Sequence, residues 1–517
     1  MKFIQGSNRQ QTHLFPVSLE DSIDLDNDVR LLDLFVDSLS LCDFGFKTDF
    51  TENGRPAYHP SDLLKLYMYG YLNKIRSSRD IEKSCKRNIE VMWLIKNLQP
   101  DHNTINNFRR DNPKAIKKVF RATVAMAKHF NLIGGKLIAG DSTKMRAQNS
   151  KKNNFNQNKI DRHLAYIDNK LSQYNQELED AENTDKEQVK KEIIKHTERK
   201  IKYKQLEQQL KESEQTQIST TDPDSRQMVT RNNITEVAYN VQTTVDAKHN
   251  IPIDYKVTNT NDSKAMGNML QRAKTIVGHT EFTALYDKGY HTGSEFKTAN
   301  DLGIDVLVAI PSPPAQAPDP AYNVDKFAYN QQEDYYTCPQ EKNLTTTGRW
   351  HQAKTYRFKR YTTKDCKDCP VKQLCTKAKY GKGVQRSEYQ EYIDQNKNRI
   401  KNNKEYYRKR QAIVEHPYGT IKRQWGFNYI ITKKHKEKAS ADVGLMFVAY
   451  NIRRIFNILD KNVLKEYLKM VISCFLIRIV SVRSEISLFT KGLNFRKTNL
   501  FYIENTINRL TSNQISS

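Results

Sequence analysis

Residues 136–145 read KLIAGDSTKM, and residues 282–291 read FTALYDKGYH. Each segment begins with a short apolar, β-prone run and then reaches an aspartate, Asp141 in the first and Asp287 in the second. We therefore predict two strands, each ending at its aspartate. Polar side chains at strand ends can meet at one edge of a sheet, so two carboxylates far apart in sequence would be able to share a site.

The sequence around these two segments alternates between strand and helix signals. A strand is predicted at 237–246 (VAYNVQTTVD), and the turn AKHN would pair it with another at 251–258. A helix at 264–276, a helix at 293–302 and a buried strand at 305–310 complete the pattern. The order strand, strand, strand, helix, strand, helix, strand predicts an α/β core that is interrupted by insertions.

The N-terminal quarter reads as helical. Residues 15–130 carry apolar side chains at helical spacing, for example in DLLKLYMYGYL and IEVMWLI. With the following DHNTINNFRRDN they would form a helix-turn-helix-like unit whose Arg109 and Arg110 contact DNA phosphates. An ordinary helical bundle with a solvated basic face explains the same pattern equally well.

A second helical region follows the first aspartate. From Ile160 to Leu178 the apolar residues recur at the spacing of a coiled-coil seam, and a Lys/Glu/Gln-rich helix is predicted at 185–211. Two such helices with a short connection predict an antiparallel hairpin. It would serve in dimerisation or in clamping DNA, or it would be only a solvated arm.

Charge and composition exclude several classes of protein. The 517 residues include 84 Lys and Arg against 59 Asp and Glu, a net charge of +25. A field of that size concentrates polyanions, so nucleic acid is the first partner to expect. No apolar run reaches the roughly 18 residues of a membrane span, and the N-terminal residues lack the apolar segment of a signal peptide. The seven cysteines are too unevenly spaced for a disulfide framework, which favours a reducing cytosol.

A third carboxylate lies in strongly cationic sequence. Residues 397–438 hold 13 Lys and Arg against three Glu, a net of +10. Glu415 is one of the three, and its basic neighbours are Arg408, Arg410, Lys422 and Arg423. Glu415 is either a salt-bridge partner or the third ligand, with Asp141 and Asp287, of a two-metal site whose flanking cations hold DNA phosphates. Carboxylate oxygens suit Mg²⁺.

The cysteines form a second constellation. Cys366, Cys369 and Cys375 follow a C-x2-C-x5-C pattern, and Cys338 would be the fourth ligand of a tetrahedral zinc site. Unligated thiols or a redox pair remain the alternative. This segment is expected to be structural or DNA-contacting.

Four sequence segments are similar to those of one protein family. LIAGDSTKMRAQ, the pair TDPDSRQM and VAYNVQTTVD, LYDKGY, and VEHPYGTIKRQWG resemble the DDE transposases of bacterial insertion sequences. The resemblance covers most of residues 15–459. It implies an α/β, RNase H-like mixed sheet flanked by helices, in which Asp141, Asp287 and Glu415 are the acidic triad that binds two Mg²⁺ (or Mn²⁺) ions.

The resemblance also implies activity and partners. Such an enzyme binds the terminal repeats of its element, cuts the DNA and joins it to target DNA, as a homo-oligomer in a synaptic complex in the bacterial cytoplasm, at the nucleoid. Related proteins often carry Tyr-x2-Arg-x3-Glu-x6-Lys around the third acid. Glu415 and Lys422 fit this spacing, whereas Arg408 and Gln411 replace its Tyr and Arg. Arg410 and Lys422 would contact phosphate, and Pro417 predicts that the helix ends or kinks just past Glu415.

These interpretations give the following predicted organisation. The units are an all-α N-terminal domain at 1–130, a catalytic core at 131–150, 232–312 and 393–459, a helical-hairpin insertion at 151–231, a Cys-rich insertion at 313–392, and a tail at 460–517. The tail does not read as a clean continuation of the preceding helix. It motivates the alternative hypothesis of a catalytically inactive, DNA-binding remnant of a transposase.

Overall fold

The protein is described by a computed structural model that covers residues 18–49, 56–180, 186–230, 233–312, 316–432 and 434–474. The helices are α1 Asp28–Asp37, α2 Leu41–Phe44, α3 Pro60–Leu72, α4 Ser78–Arg87, α5 Ile89–Leu94, α6 His102–Asp111, α7 Pro113–His129, α8 Gln157–Asp180, α9 Lys186–Glu212, α10 Met266–Val277, α11 Gly293–Asp301, α12 Lys372–Cys375, α13 Gln390–Asn402, α14 Lys404–Tyr418 and α15 Lys436–Ile458. The strands are β1 Leu137–Arg146, β2 Asn154–Phe155, β3 Ile218–Ser219, β4 Arg226–Val229, β5 Thr235–Asp246, β6 Ile251–Thr258, β7 Thr283–Tyr286, β8 Asp305–Val308, β9 Ala328–Asn330, β10 Tyr335–Thr337, β11 Asn343–Gln352, β12 Arg357–Thr362 and β13 Val384–Ser387.

The main sheet is mixed and has β1 near its centre. β1 pairs antiparallel with β5 on one side and parallel with β7 on the other, and β8 continues the parallel side. The far edge of β5 holds both β4 and β6, each antiparallel to it. The predicted α/β class and the predicted strands at 237–246, 251–258, 282–286 and 305–310 are confirmed within a few residues.

The prediction that the first strand ends at Asp141 was wrong. β1 continues to Arg146, because its ladder with β5 runs unbroken from the Ile138–Asp246 pair to the Arg146–Ala238 pair. The backbone bonds of that ladder keep the polar residues after Asp141 extended. β7 does end at Tyr286, so Asp287 lies at a strand end as predicted.

Gly140 allows β1 and β7 to approach closely. A methyl group on Gly140 would lie 1.9 Å from a carbon of the Tyr286 ring. No side chain fits there, so the residue before Asp141 has to be glycine while that ring keeps its place.

The N-terminal helices share one apolar core with the sheet. This core includes Leu64 and Tyr67 of α3, Phe120 of α7, and Phe447 of α15, and it continues to the sheet through Tyr255 of β6. Residues 461–474 are helical and join the same core through Leu464 and Leu468, while residues 475–517 of the predicted tail lie outside the described residues. Of the helices that the structure describes, none is both long and apolar enough to cross a bilayer.

The two predicted long helices, α8 and α9, lie side by side and antiparallel. Asp168 pairs with Lys200 (2.7 Å), and the rings of His163 and Tyr203 stack with their centroids 4.7 Å apart. Apolar packing is concentrated at one end, around Ile160 and Leu206. Much of the remaining surface is polar and solvated, as the composition predicted.

A second sheet holds the cysteine-containing segment. Its five strands, β9 to β13, are antiparallel and follow chain order. Phe327, Tyr336, Leu344, Tyr361 and Val384 form its small core. This sheet lies in the chain between β8 and α13.

The helix that carries Glu415 does not end beside it. α14 continues through Pro417 to Tyr418, and residues Gly419–Gln424 then wind as a π-helix, with Trp425 N donating to Thr420 O. The predicted stop just past Glu415 is therefore replaced by a change of winding four residues later. Proline has no N–H for the usual helical bond, and the wider turn follows directly after that missing bond.

Candidate active site

The strand register places Asp141 and Asp287 next to each other. β1 and β7 pair in parallel as far as Ala139 and Leu285. Asp141 and Asp287 lie two residues beyond this last pair. They are therefore side by side, just past the point where β1 and β7 stop pairing. The prediction that these two carboxylates lie close together is confirmed by their shared cation. Arg410 Nη2 lies 3.4 Å from Asp141 Oδ1 and 3.5 Å from Asp287 Oδ2.

The two carboxylates differ in their surroundings. The side chain of Asp141 is 20% exposed and that of Asp287 is 42% exposed. Burial raises the pKa of Asp141 to about 6, the positive charge of Arg410 opposes this rise, and the negative charges of Asp287 and Asp262 add to it. Two acids facing one guanidinium leave an excess of negative charge, which favours a further cation.

Asp287 also has a structural role. Its Oδ1 accepts a hydrogen bond from Gly289 N (2.8 Å) and so caps the short 3-10 turn Lys288–Tyr290. Its Oδ2 is the atom that faces Arg410. The cap fixes the carboxylate and leaves one oxygen directed at the site.

The structure does not bring Glu415 into this cluster. Its side chain is exposed, and Oε1 accepts a hydrogen bond from Gln411 Nε2 (3.0 Å), one helical turn earlier. Gln411 is the residue that replaces the arginine of the family signature. Within the described residues, no group of three or more His, Cys, Asp or Glu side chains is arranged to hold a metal ion.

Helix α14 is fixed on the sheet by its buried side chains. Ile413 and Val414 pack against Ala139 and Leu285, which precede the two aspartates. Tyr407 Oη donates a hydrogen bond to Tyr286 O (3.0 Å). These contacts hold Arg410 over Asp141 and the end of β7.

Of the other predicted phosphate-binding residues, Lys422 has contacts next to Asp141. Lys422 Nζ donates to Thr143 Oγ1 (2.8 Å) and to Lys144 O (3.2 Å), so it is attached to the strand of Asp141. Arg408 and Arg423 are exposed, and Arg408 forms an ion pair with Glu405. Their DNA contacts stay predictions.

The predicted DNA contact of Arg109 was wrong. Arg109 is fully buried, donates a hydrogen bond to Tyr71 Oη (3.0 Å) and lies 3.8 Å from Asp442 Oδ1. The face of α6 that carries it packs against α3 and α15, so no phosphate can reach it. Arg110 is 43% exposed and pairs with Asp111, and its DNA contact stays a prediction.

Sequence reasoning also missed a residue beside the site. Asp262 ends the polar run TNTND after β6, and its charge contributes to the raised pKa of Asp141. A carboxylate inside a run of small polar residues reads as a turn. Only the fold places it under the two aspartates.

The four cysteines line one small cavity in the second sheet domain. Cys338, Cys366, Cys369 and Cys375 all border it, and Lys342 N donates a hydrogen bond to Cys338 Sγ (3.4 Å). Burial raises the pKa of Cys375, and the three other cysteines contribute to that rise. All four are free thiols.

Comparisons with known proteins agree with the sequence motifs. Residues 17–111 match the family model described as Transposase domain (DUF772), and residues 337–456 match the model described as Transposase DDE domain. The second match contains Arg410 and Glu415. No curated protein and no solved structure matches the chain. With a match to a transposase domain near one end and a match to a transposase DDE domain near the other, the chain is similar to the DDE transposases of insertion sequences.

Proposed function

We propose that the protein binds the ends of its insertion element and catalyses Mg²⁺-dependent DNA cleavage and strand transfer. The observation that carries this proposal is the pair Asp141 and Asp287, two carboxylates on neighbouring strands that face one cation. The order β6, β5, β1, β7, β8, antiparallel on one side of β1 and parallel on the other, supports an RNase H-like core for this site.

The residues fit a divalent metal ion. Asp141 and Asp287 supply hard oxygen ligands, and the guanidinium of Arg410 lies where both of them attract positive charge. Glu415 would be the third ligand, once it gives up its hydrogen bond with Gln411. When bound, such ions activate water or a DNA 3′-hydroxyl and stabilise the leaving oxygen.

The side chains of the chain itself would hold the substrate. Arg410 would exchange its carboxylate partners for a phosphate group next to the scissile bond. Lys422, Arg408 and Arg423 would neutralise phosphates on either side, and Arg110 would do so at the N-terminal helices. The partners are the element's terminal repeats and target DNA, bound by a homo-oligomer, and the setting is the bacterial cytoplasm at the nucleoid.

A strand-transfer assay tests this function. Purified protein, Mg²⁺ and a DNA fragment carrying the element's two ends are expected to give cut ends and joined products, and chelation of the metal is expected to stop both. Saturated end binding without any cut or joined product would favour the inactive-remnant hypothesis instead.

We further propose that the four cysteines, which are not arranged as a metal site among the described residues, draw together around a structural zinc ion. Their common cavity and the amide hydrogen bond to Cys338 support this ligand set. Protein that has never met a chelator is expected to contain about one equivalent of zinc, and Cys366→Ser with Cys369→Ser is expected to lose it. Less than about half an equivalent in the parent would contradict the proposal.

A further inference from the structure

A largely enclosed carboxylate links the strand of Asp141 to the turn that follows Asp287. The side chain of Asp262 is 16% exposed and lies at the start of the 3-10 turn Asp262–Lys264, between β6 and α10. Its Oδ1 accepts hydrogen bonds from Asn240 Nδ2 (2.7 Å) and Gln242 Nε2 (2.6 Å), and its Oδ2 faces Lys144 Nζ (3.1 Å). A carboxylate this enclosed has to be compensated by donors, and it has them on several sides.

One side of this network reaches the strand of Asp141. Lys144 belongs to β1, three residues after Asp141, and its ammonium group also lies 3.2 Å from Ser142 Oγ. The Ser142 hydroxyl also helps to stabilise the charged form of Asp262. Asp262 therefore contacts β1 through Lys144, with Ser142 beside it, on the face of the strand opposite to Asp141.

The other side reaches the turn of Asp287. Gln242, which donates to Asp262, accepts a hydrogen bond from the hydroxyl of Tyr290, three residues after Asp287. A methyl group placed on Gly289 would lie 3.0 Å from Asp287 Oδ1 and 3.6 Å from Asp262 Oδ2. Both carboxylates thus flank the same point of that turn.

The donors also determine the charge of Asp262. Burial alone would raise its pKa, but the hydrogen bond from Asn240 and the positive charge of Lys144 hold the pKa below the ordinary value. Asp262 therefore remains an anion under the site.

We propose that Asp262 is a positioning residue, which holds Asp141 and Asp287 at the spacing that lets both bind one divalent cation. It acts through Lys144 and Ser142 of β1 on one side, and through Gln242 of β5 and Tyr290 of the turn after β7 on the other. This inference rests on the proposed function, because it assumes that the two aspartates bind metal. Partners that orient metal ligands are commonly worth 10-fold to 100-fold in metal affinity.

The test is Mn²⁺ binding to the full-length protein, measured by isothermal titration calorimetry without DNA. Asp262→Asn keeps the shape of the side chain, removes its charge, and is expected to weaken Mn²⁺ binding by about 10-fold to 100-fold. The matched control is Asp246→Asn. Asp246 is a fully buried carboxylate on the same strand as Gln242, and it accepts hydrogen bonds from Gly134 N and Gly135 N away from the site.

The outcomes separate the two proposals. Weaker Mn²⁺ binding in Asp262→Asn and unchanged binding in Asp246→Asn would support the positioning role. Equal binding in Asp262→Asn and parent, or equal weakening in both variants, would overturn it while leaving the metal site intact. A parent that binds no Mn²⁺ would overturn the metal site and this inference together. If Asp262→Asn does not fold, Tyr290→Phe replaces it, with a weakening of Mn²⁺ binding expected and an unchanged affinity contradicting the role.

Discussion

Two clusters of arginine and aspartate in this protein have opposite balances of charge. In the interior, the side chain of Asp442 on α15 is fully buried and faces Arg76 (2.7 Å) and Arg109 (3.8 Å). Tyr71 Oη and Ile431 N also donate hydrogen bonds to it. At the sheet edge, by contrast, Asp141 and Asp287 share the single cation of Arg410 and are partly open to solvent.

The difference explains why similar residues have different roles. Two cations and two hydrogen-bond donors surround Asp442, so both of its oxygens have partners. The inner cluster fastens α3, the loop that carries Arg76, and α6 to α15. The outer cluster has more acid than base; burial raises the pKa of Asp141, and the negative charges of Asp287 and Asp262 add to that rise. An excess of carboxylate at an accessible edge indicates a cation site, whereas an enclosed carboxylate that is fully compensated by cations indicates a structural cluster.

The largest effect is expected at the outer cluster. Asp141→Asn and Asp287→Asn should each reduce cleavage of element-end DNA by at least about 1,000-fold, which corresponds to about 4 kcal/mol of activation free energy. The fold should persist, because a neutral amide costs less to bury than the charged form of Asp141. Cleavage rates and thermal unfolding check this prediction. Asp301→Asn, at an exposed pair with Lys297, serves as the control and should leave both unchanged.

The inner cluster should respond in the opposite way. Asp442→Asn leaves Arg76 and Arg109 buried without their counter-ion, and it should lower the free energy of unfolding by about 3–5 kcal/mol. Urea unfolding measures this loss, and the cleavage rate per folded molecule should stay close to that of the parent. A loss below about 1 kcal/mol would mean that Asp442 does not fasten the helices in this way.

Two neighbouring arginines of α6 have different roles: Arg109 is buried and structural, and Arg110 is exposed and predicted to contact DNA. Arg109→Gln should destabilise the fold by about 3 kcal/mol, since it breaks a buried ion pair. Arg110→Gln should change stability by less than about 0.5 kcal/mol, and should lower the salt dependence of DNA binding by about one phosphate contact. Urea unfolding and binding at several salt concentrations distinguish these results. Equal destabilisation by both substitutions would contradict the assignment.

A third cluster gives the smallest expected effect. Asp254 faces three cations, Lys117, Arg121 and Arg272, and burial together with the two arginines lowers the pKa of Lys117 to about 7, against the opposing charge of Asp254. From about pH 7 to about pH 10 the unfolded chain keeps a proton on Lys117 that the folded chain has released, so this group makes stability rise with pH in that window. Lys117→Met should flatten that part of the rise. Urea unfolding at pH 6.5 and 8.5 measures it, and identical pH dependence in variant and parent would contradict it.

The sequence predicted the secondary-structure elements better than it predicted the contacts between them. Periodic apolar residues correctly indicated α8 and β5, composition indicated α9, and the turn AKHN indicated β6. The strand-end position of Asp287 was sufficient to place it near Asp141. Asp141 lies near Asp287 as predicted, but it does not end a strand. Strand β1 continues past it because it stays paired with β5. Pairing of this kind depends on residues far away in the sequence.

The errors share one physical cause. Arg109 looks like Arg110 in sequence, and only the packing of α6 against α15, more than 300 residues later, decides which one is buried. Distant contacts also decide the role of Asp262, because its hydrogen-bond donors come from β1 and β5. Glu415 lies on an exposed part of α14, where its carboxylate accepts a hydrogen bond from Gln411, a contact that a spacing signature does not contain.

The most direct test of the cation site is anomalous diffraction from crystals of the protein containing Mn²⁺. We predict an anomalous peak within ligand distance of Asp141 and Asp287, with the Arg410 guanidinium displaced from between them. Mn²⁺ bound only at other places, with Arg410 still bridging the two aspartates, would contradict the assignment of this edge of the sheet as the active site.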